Sequence, residues 1–166
     1  SASTVQVVVR VQPTVGPRAH DANRSVVLGA HLEVGHKLGA GGMGDVYAAR
    51  EASLNREVAV KVLATRAASV PAARQRFRRE AQVTAQLSHP NVVPVYTMES
   101  TDGGMPAMTM KLVKGVTFQE YVVKCREDQA AADFAPAYQR TKRIEHFLKI
   151  CDAMAYSHSC GVIHRD

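Results

Sequence analysis

Alternation of apolar and polar residues between positions 31 and 113 predicts a β-sheet. Successive side chains of a strand point to opposite faces, so a half-buried strand shows a period of two. Five segments show this alternation or a short run of high β propensity: Leu32–Leu38, Asp45–Ala49, Val58–Leu63, Val92–Met98 and Met105–Val113. We therefore expect five strands in this part of the chain.

Helical spacing predicts one helix between these strands and further helices after them. Pro71 suits the first turn of a helix, and this helix should end near Ser88 because His89 precedes a proline. The helical segments beyond the sheet are Phe118–Lys124, a less regular Glu127–Ala137 and Thr141–Ser159. Gly161 suits a left-handed helix cap. The expected fold class is α+β, with a five-stranded antiparallel sheet, one helix packed on it, and helices following.

Residues 1–30 differ from the rest of the chain. Apolar residues alternate over positions 5–11, which predicts one short strand, and Pro13, Gly16 and Pro17 then interrupt the pattern. We interpret this stretch as an N-terminal extension or linker. Its sequence points to no function.

The composition is that of an ordinary globular protein. Of the 166 residues, 46% are hydrophobic and 22% are charged, which excludes wholesale disorder. No apolar run approaches the roughly 18 residues of a membrane-spanning helix, and the first residues do not resemble a signal peptide. Three cysteines without a CxxC pair favour a reducing, cytoplasmic setting over a disulfide framework.

The net charge of +6 raises the question of nucleic-acid binding. Four positive charges cluster on the predicted helix, at Arg74, Arg76, Arg78 and Arg79. No aromatic residues interleave with them, as a stacking platform for single strands would require. A solvated helix face is therefore favoured, and we expect no nucleic-acid partner.

A second group of residues raises the question of a metal site. Cys160 and His164 lie close in sequence, with His146 and His158 nearby. A structural zinc site needs four ligands at recognisable spacings, which this set lacks. Core thiols and satisfied histidines are the favoured interpretation, so we expect no metal there.

Gly39, Gly41 and Gly44 form a GxGxxG pattern between the first two predicted strands. Glycines let backbone N–H groups approach phosphates closely, although they also occur in any tight turn. In a dinucleotide-binding fold this pattern opens a helix and precedes an acidic residue by about 20 positions. Here a strand follows, and Lys61 stands at that distance from Gly41. A strand–turn–strand hairpin folded over phosphates fits the sequence better.

Lys61 lies in the middle of the most apolar predicted strand. It shares a face with Ala59 and Leu63, where an ammonium needs an anionic partner to offset its burial. Glu80 falls within the core-facing stripe of the predicted helix instead of among its arginines. The periodicity therefore predicts a buried Lys61–Glu80 ion pair, either purely structural or, with the glycine hairpin, positioning phosphates.

Four motifs in this order resemble the eukaryotic-type protein kinases: Leu38–Tyr47, Val58–Lys61, Glu80 in a helix ending Leu87–Asn91, and Val162–Asp166. The amino-acid sequences of Gly41–Gly44 and of Tyr156–Gly161 are similar to those of the bacterial serine/threonine branch. The resemblance implies a kinase small lobe and hinge over residues 31–113. Residues 114–166 would be the start of the helical large lobe, truncated at the catalytic loop.

The resemblance also implies roles for individual residues. Lys61 would contact the α and β phosphates of ATP while Glu80 holds it, and Asp166 would be the catalytic base. Met110 would be the gatekeeper of the adenine pocket. The residues implied to contact ATP are Leu38, Gly39, Ala40, Gly41, Gly42, Met43, Gly44, Val46, Ala59, Lys61, Met110, Lys111 and Val113.

The 166 residues stop before the family's magnesium ligands, an asparagine and the aspartate of Asp-Phe-Gly. We therefore expect an ATP- and Mg-dependent Ser/Thr protein kinase acting on a protein substrate, present as a fragment that is inactive alone. The alternative is a pseudokinase or regulatory scaffold that binds a protein partner. The wide apolar arc of residues 141–160 should be covered by another copy, a swapped segment or the rest of the kinase, or else be poorly ordered.

Overall fold

A computed structural model describes residues 28–29, 31–130 and 140–163 of the chain. The strands are β1 (Leu32–Ala40), β2 (Gly44–Glu51), β3 (Arg56–Leu63), β4 (Val95–Ser100) and β5 (Pro106–Lys111). The helices are α1 (Thr65–Ala68), α2 (Pro71–Ala85), α3 (Phe118–Ala130) and α4 (Arg140–Ser159). The predicted strand over 5–11 lies outside the described residues.

The five strands form one antiparallel sheet in the order β1-β2-β3-β5-β4, which confirms the predicted fold class. β3 is the central strand, and its neighbours are in regular register with it. Lys61 lies opposite Val46 of β2 and Met108 of β5. Directly opposed residues share a face of the sheet, so these three side chains point the same way.

The two faces of β3 carry different cores, as the alternation predicted. Val58, Val60 and Val62 are buried in one cluster, and Leu63 is buried in another with Phe77 of α2. The first cluster also contains Leu28, which is 1% exposed. Leu28 falls within the stretch interpreted as an extension or linker, so packing on this face of the sheet begins before residue 31.

Most element ends differ from the predicted ones by one to three residues, and three differences are informative. β4 begins at Val95 instead of Val92, because Val92 and Val93 are buried next to the end of α2 and are not paired in the sheet. The four-residue helix α1 was not predicted, and it is too short to show a helical period. α3 continues to Ala130, through the beginning of the segment expected to be less regular.

Local hydrogen bonds fix the ends of α3 and α4. The Thr117 hydroxyl accepts the Glu120 N–H at 3.1 Å, and the Glu120 carboxylate accepts the Thr117 N–H at 2.7 Å, which is a capping box. These bonds lower the pKa of Glu120. Gly161 has φ +73° and closes α4, as predicted: its N–H donates to the His158 carbonyl at 2.9 Å.

α4 docks against the segment that joins α2 to β4. Ala153 is fully buried in a cluster with Leu87 and Val92. The Tyr156 hydroxyl accepts the Ser88 N–H at 3.2 Å, and its ring stacks on His89. This contact attaches the C-terminal helix to the sheet-bearing part of the chain.

Candidate functional site

The glycine pattern lies in the turn between β1 and β2. Ala40 pairs with Asp45, and the Gly41 N–H donates to the Gly44 carbonyl at 2.8 Å. A strand follows the turn, and no helix opens there. The predicted hairpin is therefore confirmed, and the sequence pattern does not belong to a dinucleotide-binding fold.

The glycines of this hairpin have different surroundings. A Cβ added at Gly44 would lie 2.3 Å from the Val62 carbonyl oxygen, so β2 can approach β3 this closely only where residue 44 has no side chain. At Gly39 and Gly42 an added Cβ would meet no atom within 4 Å. The Met43 carbonyl accepts the Ala64 N–H at 3.1 Å, which ties the turn to the end of β3. The hairpin is thus anchored at Gly44 and leaves an open backbone surface before it.

The predicted ion pair is present. The Lys61 ammonium donates to Glu80 Oε1 at 2.7 Å, and their side chains are 6% and 4% exposed. α2 therefore lies against the sheet in the position that joins the two residues. Glu80 Oε2 is buried without a hydrogen-bond partner in the described part of the chain. Buried acceptors of this kind are rare in folded proteins and costly, so this oxygen is available to a donor that the described residues do not supply.

The face of the sheet around Lys61 is apolar. Val46 lies opposite Lys61, and Ala59 lies opposite Met110, so all four side chains share this face. Ala59 is buried, whereas Val46 and Met110 are half-buried. Leu38 of β1 is 46% exposed at the edge of the sheet. The structure thus gathers one cation and several apolar side chains beside the glycine hairpin, a combination that suits an aromatic base carrying phosphates.

The predicted hinge begins where β5 ends. Lys111 is the last residue of β5, and its N–H donates to the Pro94 carbonyl at 3.1 Å. Val113 is half-buried two residues later. A cavity of about 440 Å³ is lined by residues 87–94 with Lys111 and Val113. Neither Lys61 nor the glycine hairpin lines this cavity, which shares only Lys111 and Val113 with the residues implied to contact ATP.

Other predicted features have mixed outcomes. Asp166 and His164 lie outside the described residues.

Within the ranges that the structure describes, no three His, Cys, Asp or Glu side chains are grouped as metal ligands, and Cys125, Cys151 and Cys160 are free thiols. Across those same ranges, no helix combines the length and the apolar character needed to cross a bilayer.

α4 is a regular helix whose apolar arc is largely exposed in the single chain. Ile144, Phe147 and Leu148 are 51%, 54% and 58% exposed. Poor order of this segment in the absence of a cover stays a prediction. Coverage of this surface by another copy or by further kinase sequence remains a prediction.

Comparison with known proteins identifies the family. The protein kinase domain model matches residues 32–166, and the chain therefore belongs to the protein kinase family. It is 40% identical over 142 residues to the serine/threonine-protein kinase PknB of Mycolicibacterium smegmatis, covering 84% of this chain and 21% of that protein. It is 34% identical over 133 residues to the serine/threonine-protein kinase PknD of Protochlamydia amoebophila, covering 78% and 13%.

Solved structures agree with this assignment. The crystal structure of the Mycobacterium tuberculosis PknI kinase domain superposes with a TM-score of 0.62 at 28% identity, covering 87% of this chain and 54% of that one. The fold is thus that of a protein kinase small lobe with the first helices of the large lobe. The chain spans about a fifth of the length of the PknB relatives and about half of the PknI kinase domain.

Proposed function

We propose that residues 31–113 are the ATP-binding lobe and hinge of a Ser/Thr protein kinase, and that residues 114–166 begin its catalytic lobe. The proposal rests chiefly on one observation, the buried Lys61–Glu80 pair beside the glycine hairpin. Because ATP is an intracellular substrate, we place this domain in the cytoplasm.

A phosphate-positioning role accounts for this pair better than a purely structural one. Desolvating two charges costs several kcal/mol per ion. Replacing a buried ion pair by apolar residues of similar volume is often neutral, or stabilising by on the order of 1–4 kcal/mol. The unpartnered Oε2 of Glu80 adds to that cost. A ligand with negative charge would offset the desolvation of Lys61, because the ammonium retains donors beyond the one given to Glu80. The residues present therefore fit the phosphates of a nucleotide.

Each residue of the site would then have a defined task. Lys61 would donate to the α- and β-phosphate oxygens, while Glu80 holds its ammonium in position. The backbone of Gly39–Gly44 would cover the phosphates, and its open surface at Gly39 and Gly42 supports that role. When bound, Mg-ATP supplies the phosphoryl group to be transferred and the metal charge that offsets the phosphates.

The adenine would lie on the apolar face beside Lys61. Val46 and Ala59 would contact the ring with Leu38, and Met110 would limit the depth of the pocket. Backbone groups of Lys111 and Val113 would bond the edge of the base. Asp166 would accept the proton of the substrate hydroxyl as it attacks, which is the role of the catalytic-loop aspartate in protein kinases.

These 166 residues contain no Asp-Phe-Gly sequence, which supplies a metal ligand in protein kinases. We therefore propose that this chain by itself binds Mg-ATP weakly and shows no measurable phosphotransfer. Turnover by the purified chain that Lys61→Met abolishes would contradict this part of the proposal.

The kinase activity is best tested in the complete protein that contains these residues. We expect transfer of labelled γ-phosphate to serine and threonine, but not tyrosine, of a degenerate peptide library. Asp166→Asn should abolish transfer while leaving Mg-ATP binding intact, and Arg78→Ala, on the exposed face of α2, should leave both unchanged. If the complete protein binds Mg-ATP without transferring phosphate, the pseudokinase alternative is correct.

A further inference from the structure

Arg74 departs from the solvated helix face expected for the four arginines of α2. It is half-buried, whereas Arg76, Arg78 and Arg79 are exposed and make no hydrogen bond or ion pair to the residues that the structure describes. Arg74 Nε donates to the Ala68 carbonyl at 2.7 Å, and Nη1 donates to the Gly104 carbonyl at 3.1 Å. One guanidinium thus binds two backbone segments that are distant in sequence.

Both acceptors belong to parts of the chain that are fixed to the sheet. Ala68 is the last residue of α1, where helix carbonyls have no intrahelical partner, and α1 follows directly from β3. Gly104 lies in the turn between β4 and β5, with φ +70°. Arg74 therefore joins the first turns of α2 to the continuation of the lysine-bearing strand and to the β4–β5 turn.

The N-terminal end of α2 has few other polar contacts. Its N-cap is Val70, which makes no side-chain hydrogen bond, and its first turn contains no acidic residue. After the first turn, Phe77 and Ala81 hold the helix to the sheet by packing on Leu63 and Met108. Such apolar contacts resist separation of the helix from the sheet but are non-directional, so they allow rotation and sliding. The directional contacts at this end come from Arg74.

We propose that Arg74 is a positioning residue that holds α2 where Glu80 reaches Lys61. Glu80 follows Arg74 by six residues, which is about 9 Å along a helix, so a displacement at Arg74 is transmitted to Glu80 through a rigid element. Arginine suits the task because its planar fork carries several donors, whereas lysine offers one compact ammonium. The consequence for nucleotide binding rests on the proposed function, but the effect on the ion pair does not.

The test measures exposure of Lys61 in the 166-residue chain without nucleotide. A small amine-reactive reagent is applied, and labelling of each lysine is followed by mass spectrometry, with the exposed Lys142 as internal reference. Arg74→Ala should raise the labelling rate of Lys61 roughly fivefold relative to Lys142, as expected for the loss of about 1 kcal/mol of hydrogen bonding. Arg74→Lys should give a smaller increase, and Arg78→Ala should give none.

Circular dichroism establishes which variants are folded. If Arg74→Ala is unfolded, the labelling of Lys61 in Arg74→Lys is used instead. Unchanged Lys61 labelling in a folded Arg74 variant would overturn the proposal. So would a loss in the free energy of unfolding, measured by chemical denaturation, that is large enough to account for the whole increase at Lys61, because that result indicates a general loss of stability. Mg-ATP affinity is measured separately: if the parent chain does not bind Mg-ATP, the proposed function fails for this chain while the labelling result still decides the role of Arg74.

Discussion

Lys61 Nζ lies 2.7 Å from Glu80 Oε1, and the second oxygen of the same carboxylate is buried with no partner among the described residues. The pair joins the central strand to the helix packed on the sheet. It is complete as a link between these elements but incomplete in its hydrogen bonding. That combination fits the proposed site, in which a further donor would bind Glu80 Oε2 and an anion would accept from Lys61.

The ion pair should be stable only as a pair. Lys61→Met alone leaves a buried carboxylate without its cation, so we expect it to lower the free energy of unfolding by about 3–5 kcal/mol. The double variant Lys61→Met/Glu80→Leu should recover most of this loss, because both buried charges are gone. Chemical denaturation of the three proteins measures the effect, and a double variant as unstable as the single one would contradict it.

The two kinds of glycine in the hairpin should respond differently to alanine. Gly44→Ala places a methyl group 2.3 Å from the Val62 carbonyl oxygen, so backbone must move, and we expect a loss of about 2 kcal/mol or more. Gly42→Ala meets no atom within 4 Å and serves as the matched control, with a change within about 1 kcal/mol. Thermal unfolding compares them, and equal midpoints would show that β2 is not held this closely to β3.

His146 should make the chain less stable in mild acid. Burial lowers the pKa of His146, helped by Lys149, and its ring meets Tyr121 edge-on with centroids 5.2 Å apart. Because the folded pKa lies below the unfolded value of about 6.5, the unfolded chain binds the proton better, and stability falls as pH drops below that value.

His146→Phe removes this titration and keeps an apolar ring against Tyr121. The decrease in unfolding free energy between pH 7 and pH 5 should therefore be smaller in the variant than in the parent. Other histidine–carboxylate pairs, including His31–Glu99 and His89–Asp152, are present in both proteins and cancel in the comparison. Identical pH dependence in the two proteins would be the contrary result.

The parts of the fold that the sequence predicted are those with a clear period. Alternation along Val58–Leu63 placed Lys61 on the face opposite Val60, and helical spacing placed Glu80 beside Phe77, so the two periodicities together predicted the ion pair. The glycine hairpin was predictable because a strand pattern follows it directly. In each case the prediction depended only on a regular pattern within a short stretch of consecutive residues.

The features that were missed depend on contacts between distant segments. Leu28 is buried against the sheet although its neighbours in sequence show no regular pattern. Val92 and Val93 have strand-like composition, yet they are buried in the connection between α2 and β4. Arg74 was grouped with the exposed arginines, because no local pattern shows that two carbonyl groups, at Ala68 and Gly104, lie within its reach.

The most direct test of the central claim is an equilibrium titration of the 166-residue chain with Mg-ATP, beside the Lys61→Met/Glu80→Leu variant. The double variant is the appropriate comparison because it removes the proposed phosphate-binding cation without leaving a buried charge that would unfold the lobe. We predict weak, saturable binding by the parent chain and an affinity at least tenfold lower in a folded double variant. Equal affinities in the two proteins, or no saturable binding by the parent at millimolar Mg-ATP, would contradict the account.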